Sequence, residues 1–151
     1  MIGWLLDTNV VGSLISPSGA PGVAAWAADP EEERMYLSIL TLAEIAKGIH
    51  NLATDDPARS RHAGTLGALE ARFAGRVLPL SDPVVMRWGT ISGTIRRDTG
   101  HPPSVIDTLL AATAVEHDLY LVTRNVKDVI LSGAAVFNPW RDDVADFPLG
   151  S

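Results

Sequence analysis

Cysteine is absent from the 151-residue sequence, so neither a disulfide framework nor a thiolate metal site is available to it. Positive charge is scarce as well: 12 Lys and Arg stand against 18 Asp and Glu, a formal net charge of −6. That balance excludes a protein that coats nucleic acid by bulk charge, although it allows one whose acids are gathered in a pocket and which meets a polyanion through local patches. No hydrophobic run approaches the length of a transmembrane helix, and the N-terminus lacks the basic region and cleavage site of a signal peptide. A soluble, cytoplasmic protein without membrane association is the expectation. No glycine-rich phosphate loop follows the first apolar run, which disfavours a nucleotide-binding Rossmann or P-loop protein. His50, His62, His101 and His117 lack metal-ligand spacing, and there is no internal repeat or dividing linker.

What is present is a hydrophobic fraction of 46% with only 20% charged residues, enough for one compact domain with a real core. Ile2 to Leu6 is an apolar run of strand length that stops abruptly at Asp7, Thr8 and Asn9. Met35 to Ser38 reads as a second strand. Thr41 to Leu52 reads as a helix whose buried stripe is Leu42, Ile45, Ile49 and Leu52, with Glu44 off that stripe between small Thr41 and Gly48. A further helix runs from Pro57 to about Ala74 with Ala63, Leu66, Leu69 and Phe73 inward, followed by a brief strand candidate at Arg76 to Pro79. Ser81-Asp82-Pro83 opens a helix with Val84, Trp88, Ile91 and Ile95 on its apolar face; Ser104 to His117 is an Ala-rich helix carrying Asp107 near its start. Tyr120 to Thr123 and Ala135 to Phe137 are the last strand candidates, and Arg141 to Ser151 reads as a frayed acidic tail. Strands alternating with helices indicate an α/β sandwich with a mainly parallel central sheet flanked by helices.

In a parallel sheet the strand ends that precede helices share one edge, where chemistry collects. Asp7, Asp107 and Asp128 are expected to meet at that edge, with Glu44 leaning in. Each acid also has a plain structural role open to it: Asp7 as a helix cap, Glu44 as a solvated side chain, Asp107 beside the helix dipole, and Asp128 as the cap of a short helix from Val129 onward. If they converge, two like charges about 5 Å apart repel by roughly 3 kcal/mol at an effective dielectric of 20. Such a cluster needs either protons or a cation, and oxygen-only ligands favour a hard ion, Mg²⁺ or Mn²⁺.

Leu6-Asp-Thr-Asn9, Leu42-Ala-Glu-Ile45 with Gly48, Ile106 to Ala114, Leu121 to Asn125 with Asp128, and Asn138-Pro-Trp140 occur in that order. Together they resemble the PIN-domain ribonucleases, and more narrowly the VapC-type toxins of bacterial toxin–antitoxin pairs. The resemblance spans residues 5 to 140. It implies a PIN-like three-layer sandwich, with residues 1–140 as a single domain and 141–151 as its acidic tail. It further implies a Mg²⁺-dependent endoribonuclease whose catalytic, metal-binding acids are Asp7, Glu44, Asp107 and Asp128. Thr8, Asn9, Thr123 and Asn125 become supporting hydrogen-bonding residues, and Arg124, beside the pocket's own loop, becomes a candidate RNA contact. An RNA substrate, a cognate antitoxin and a homodimer follow from the same resemblance. Two rivals stand beside it. An aspartate-nucleophile phosphatase also begins with an acid after its first strand, but it requires a second acid where Asn9 stands. A PIN-like module with a silent site would only bind.

Overall fold

The structure is a computed structural model, and it describes residues 1–150. Among those residues, five strands form one sheet: β1 (Gly3–Leu6), β2 (Met35–Ser38), β3 (Val77–Leu78), β4 (Leu119–Val122) and β5 (Val136–Phe137). Every neighbouring pair is parallel and the spatial order is β3-β2-β1-β4-β5. The connections carry α1 (Thr8–Ile15) and α2 (Pro21–Ala27), α3 (Ile39–Asn51) and α4 (Pro57–Arg72), α5 (Asp82–Thr99) and α6 (Val105–Glu116), and the single turn α7 (Val126–Val129).

The two central strands are apolar at every position because both faces of the sheet are covered. Trp4, Leu6, Tyr120 and Val122 face one core with Val10 and Val11 of α1, Trp26 of α2, Leu42 of α3 and Leu69 and Phe73 at the end of α4. Leu5, Leu119 and Leu121 face the other, against Leu110, Ala111 and Ala114 of α6 and Val129 of α7. The strand period of two therefore splits one continuous apolar run between two layers of helix. Alanines at the contact let α6 lie close to the sheet. Gly3 does the same for β1: a Cβ there would collide with the carbonyl oxygen of Arg34 just before β2.

From β1 the chain steps outward to β2 and β3, then returns to lay β4 on β1's other side. The order reverses between β1 and β4, and a crevice opens there at the carboxyl ends of both strands. Leu6 is in register with Val122, so the residues that follow each of them, Asp7 and Thr123, emerge side by side.

Three expectations are corrected. Ala63 is exposed, because α4 meets the first core through its later turns, at Leu66, Leu69 and Phe73. Asp128 does not cap a helix beginning at Val129; it lies within α7, which starts at Val126. The C-terminal segment does not fray. Val144, Phe147 and Leu149 pack on the first core, with the Phe147 ring 4.8 Å from that of Phe137 and 5.4 Å from that of Tyr120. The Tyr120 hydroxyl donates to the Pro148 carbonyl at 2.8 Å, and the Gly150 N–H donates to the Met1 carbonyl at 2.8 Å. Ser151, the last residue of that tail, lies outside the described residues. No helix among the described residues is long and apolar enough to cross a membrane.

Candidate active site

Asp7 is the first residue beyond β1, and its N–H still donates to the Val122 carbonyl at 2.9 Å, extending the ladder by one step. Its backbone is extended and α1 begins directly after it. The side chain is 94% buried, with 6% exposed, and three donors hold it. One oxygen accepts from the Thr8 N–H at 2.6 Å; the other accepts from Thr123 Oγ1 at 2.7 Å and Asn9 Nδ2 at 3.0 Å. The helix-cap role and a place in the crevice are thus held by the same carboxylate. Burial raises its pKa, and the Glu44 charge adds to that; the bonds from Thr123, Thr8 and Asn9 offset part of it, leaving a net upward shift.

The supporting residues form one connected set. Thr123 is fully buried; its hydroxyl donates to Asp7 and accepts from Asn9 Nδ2 at 3.2 Å and the Asn125 N–H at 3.0 Å. Asn9 Oδ1 accepts from the Arg124 N–H at 3.2 Å. Asn9 therefore ties the loop after β4 to the first turn of α1, and both to the Asp7 carboxylate. Thr8 reaches the other way, donating through Oγ1 to Glu44 Oε1 at 2.5 Å. Glu44 sits half-buried on α3 one turn after the buried Thr41, whose hydroxyl is 3.4 Å from that of Thr8.

Asp107 enters from the second layer of helices, in the first turn of α6. Ser104 caps that helix, its Oγ accepting from the Asp107 N–H at 3.4 Å. Burial raises the Asp107 pKa, the charges of Asp7 and Asp128 raise it further, and the Ser104 hydroxyl lowers it in part. Four elements thus contribute to a single cleft of about 480 Å³ lined by Asp7, Thr8, Asn9, Glu44, Ser104, Ile106, Asp107 and Asn125.

The cleft gathers Asp7, Glu44 and Asp107 with Thr8, Asn9 and Asn125. Thr123 stands behind Asp7, inside the protein. Asp128 is exposed on α7 and is not part of the cleft wall, although its charge is felt at Asp107. Arg124 is exposed, its guanidinium 5.3 Å from the centre of the Trp140 ring. Sequence reasoning missed Ser104 and Ile106 as cleft residues and Thr41 as the neighbour of Thr8. A signal existed for Ser104: a hydroxyl residue three before an acid at a helix start is a capping pattern.

Among the described residues, no group of three or more His, Asp or Glu is drawn tightly enough to hold a metal ion as the side chains stand. Asp7 and Glu44 are instead satisfied by Thr8, Asn9 and Thr123. The donor chemistry nevertheless fits a hard divalent cation: oxygen-only carboxylates from three elements share one cleft, and two of them are pushed toward the protonated form by burial and by their neighbours' charge.

With that geometry established, comparison with known proteins is direct. Residues 4–127 match the family model described as PIN domain. Toxin FitB of Neisseria gonorrhoeae is 33% identical over 138 residues, covering 91% of this chain and 99% of that protein. VapC ribonuclease Y4jK of Sinorhizobium fredii is 30% identical over 141 residues, covering 91% and 97%. A crystal structure of FitAcB from Neisseria gonorrhoeae superposes with a TM-score of 0.80 at 33% identity, covering 91% of this chain and 98% of that one.

Proposed function

Because the chain belongs to the PIN-domain family, we propose that it is an endoribonuclease, the toxin of a toxin–antitoxin pair, hydrolysing RNA phosphodiester bonds in the cleft at the β1–β4 switch point. The observation that carries this is the buried Asp7 carboxylate sharing one cleft with Glu44 and Asp107. Relatives named as toxin and as VapC ribonuclease support it.

Mg²⁺ is the proposed ion, with Mn²⁺ as a substitute; Asp7, Glu44 and Asp107 would hold it, with Asp128 as an outer charge. When bound it supplies Lewis acidity toward a phosphate oxygen and a lowered pKa for attacking water. The chain's own residues supply position. Asp7 is fixed by three donors, so its oxygens keep their orientation whatever occupies the cleft. Thr8 holds Glu44 Oε1 and, among the described residues, leaves the other carboxylate oxygen without a partner. Thr123 and Asn9 keep the β4 loop against Asp7, and the Asn9 amide stands where a phosphatase of the aspartate-nucleophile kind requires an acid. Asp107 has few donors of its own, and its carboxyl is pushed toward the protonated form by burial and by the charges of Asp7 and Asp128, a disadvantage that a cation in the cleft would offset.

A homodimer and a cognate antitoxin protein are the proposed partners, the latter supported by neighbours solved as FitAB and VapBC complexes. The cytoplasm is the proposed compartment, and residues 1–140 the catalytic domain with 141–151 as its C-terminal tail. The test is cleavage of single-stranded RNA by purified protein with Mg²⁺ or Mn²⁺. Asp7→Ala and Asp107→Ala each lower the rate at least about a hundredfold while the fold, read by circular dichroism, survives. Cleavage by Asp7→Ala at the wild-type rate would refute the reading, and absence of cleavage by the wild type under either ion would favour the silent binding module.

A further inference from the structure

A second groove opens beyond Glu44, about 330 Å³ in volume, and it shares Glu44 and Ile106 with the cleft. Its floor and one wall come from α3. Leu40, Glu44, Lys47 and Asn51 recur at helical spacing along one stripe, well round the helix from the buried Leu42 and Ile49. Gly48 widens the groove, and Ile106 from the first turn of α6 forms the opposite wall. Lys47 stands about 4.5 Å and Asn51 about 10.5 Å farther along the helix axis than Glu44.

The chemistry along that stripe is not that of a helix face finished by salt bridges. Glu44 is turned to Thr8, and among the described residues no acid lies in ion-pair range of Lys47. An unpaired ammonium beside a cluster of carboxylates in a protein of net charge −6 is complementary to an anion that continues out of the cleft. Asn51 offers an exposed amide with both donor and acceptor. Leu40 and Ile106 offer an apolar surface between them. A cation, an amide and an apolar wall in sequence match a phosphate, a base edge and a base face, the features by which single-stranded RNA is read.

We infer that this groove seats one nucleotide flanking the scissile phosphate, with Lys47 on its phosphate, Asn51 on its base edge, and Leu40 and Ile106 against its base. The inference rests on the ribonuclease reading above and adds to it the origin of sequence preference at one position. Gly48 makes it testable without harming the fold. A Cβ there meets no atom within 4 Å outside its own stretch of helix, and Leu is the better helix former, so Gly48→Leu is expected to extend into the groove at no cost to the helix.

The experiment compares wild type, Gly48→Leu and Asn51→Ala on one long RNA by sequencing the generated ends, with melting temperature as the check on folding. Lys47→Ala is compared with its parent in an Asp7→Asn background by anisotropy of a fluorescein-labelled single-stranded RNA across a salt series. Gly48→Leu is expected to melt at or above the wild-type temperature, to lose about tenfold in kcat/KM, and to change base preference at one position beside the cut. Asn51→Ala relaxes preference at that same position. Lys47→Ala flattens the dependence of log K on log salt by about 0.7, the loss of one phosphate contact on a single strand. A Gly48→Leu cleavage map and rate indistinguishable from wild type, or an unchanged salt slope for Lys47→Ala, overturns the nucleotide seat and leaves the nuclease reading intact. A wild type that cuts no RNA overturns both.

Discussion

Asp7 and Trp4 belong to one stretch of chain, three residues apart, and their surroundings are built on opposite principles. Trp4 is 2% exposed and lies among Trp26, Tyr120 and Phe137, with ring centres 5.0 to 5.4 Å away. Those ring contacts are mutually favourable, although the indole N–H groups of Trp4 and Trp26 are buried there without a hydrogen-bond partner among the described residues. Asp7 is nearly as buried, yet Glu44 and Asp107 face the same cleft; burial raises the pKa of both Asp7 and Asp107, and the charges of neighbouring acids add to it. The β1 ladder holds one side of a packed aromatic cluster and, one step beyond its end, holds acids whose charged forms are disfavoured until something neutralises them. Substitutions in the two regions should therefore move stability in opposite directions.

The largest effect is expected in the core. Trp4→Ala removes a fully packed indole and should cost about 4 kcal/mol, a large part of a typical margin of roughly 5–15 kcal/mol; chemical denaturation measures it. Phe147→Ala tests whether the C-terminal segment belongs to that same region. Its ring is only partly buried, so about 2 kcal/mol and a melting point lower by about 6 °C are expected. No change in melting would mean that the aromatic region ends at Phe137.

The cleft should give a smaller change of the opposite sign. Asp107→Asn keeps the shape and removes a charge opposed by Asp7 and Asp128, so it should raise the melting point at neutral pH by about 2 °C without added cation. The sign follows from linkage. The folded pKa of Asp107 lies above its reference value of 3.8, so the native state binds this proton more tightly than the unfolded chain does. The stability contributed is full below the reference value and is lost as the pH rises through the folded one. The advantage of Asp107→Asn should accordingly shrink as the pH falls toward that reference. A variant less stable than wild type at neutral pH would place the cleft among ordinary, relaxed surfaces.

How much of this could be read in the sequence differs between the same two regions. An apolar run of strand length ending in an acid is a local pattern, and it located β1 and Asp7 together. The Ala-rich helix that places Asp107 was equally legible, because a run of strong helix formers after Ser104 marks a helix and its start. The docking of Phe147 was not: Val144, Phe147 and Leu149 are too few to show a period, and the acids among them give the segment the composition of a solvated tail. Within the cleft, residue types pointed to Glu44, but its bond from Thr8 spans 36 positions and is invisible to any local pattern. Asp128 was expected among the metal-binding acids, with the cap of a helix from Val129 onward as its structural alternative, and its place inside α7 was missed because a single helical turn leaves no periodic trace.

The central claim is that these acids share one site whose mutual repulsion a divalent cation relieves, and thermal melting against Mg²⁺ or Mn²⁺ concentration tests it most directly. Wild type should gain several degrees as the cation saturates, in proportion to the logarithm of its concentration above Kd, while Asp7→Asn and Asp107→Asn gain much less. A wild-type melting point indifferent to both cations, or one raised equally in all three proteins, would contradict it.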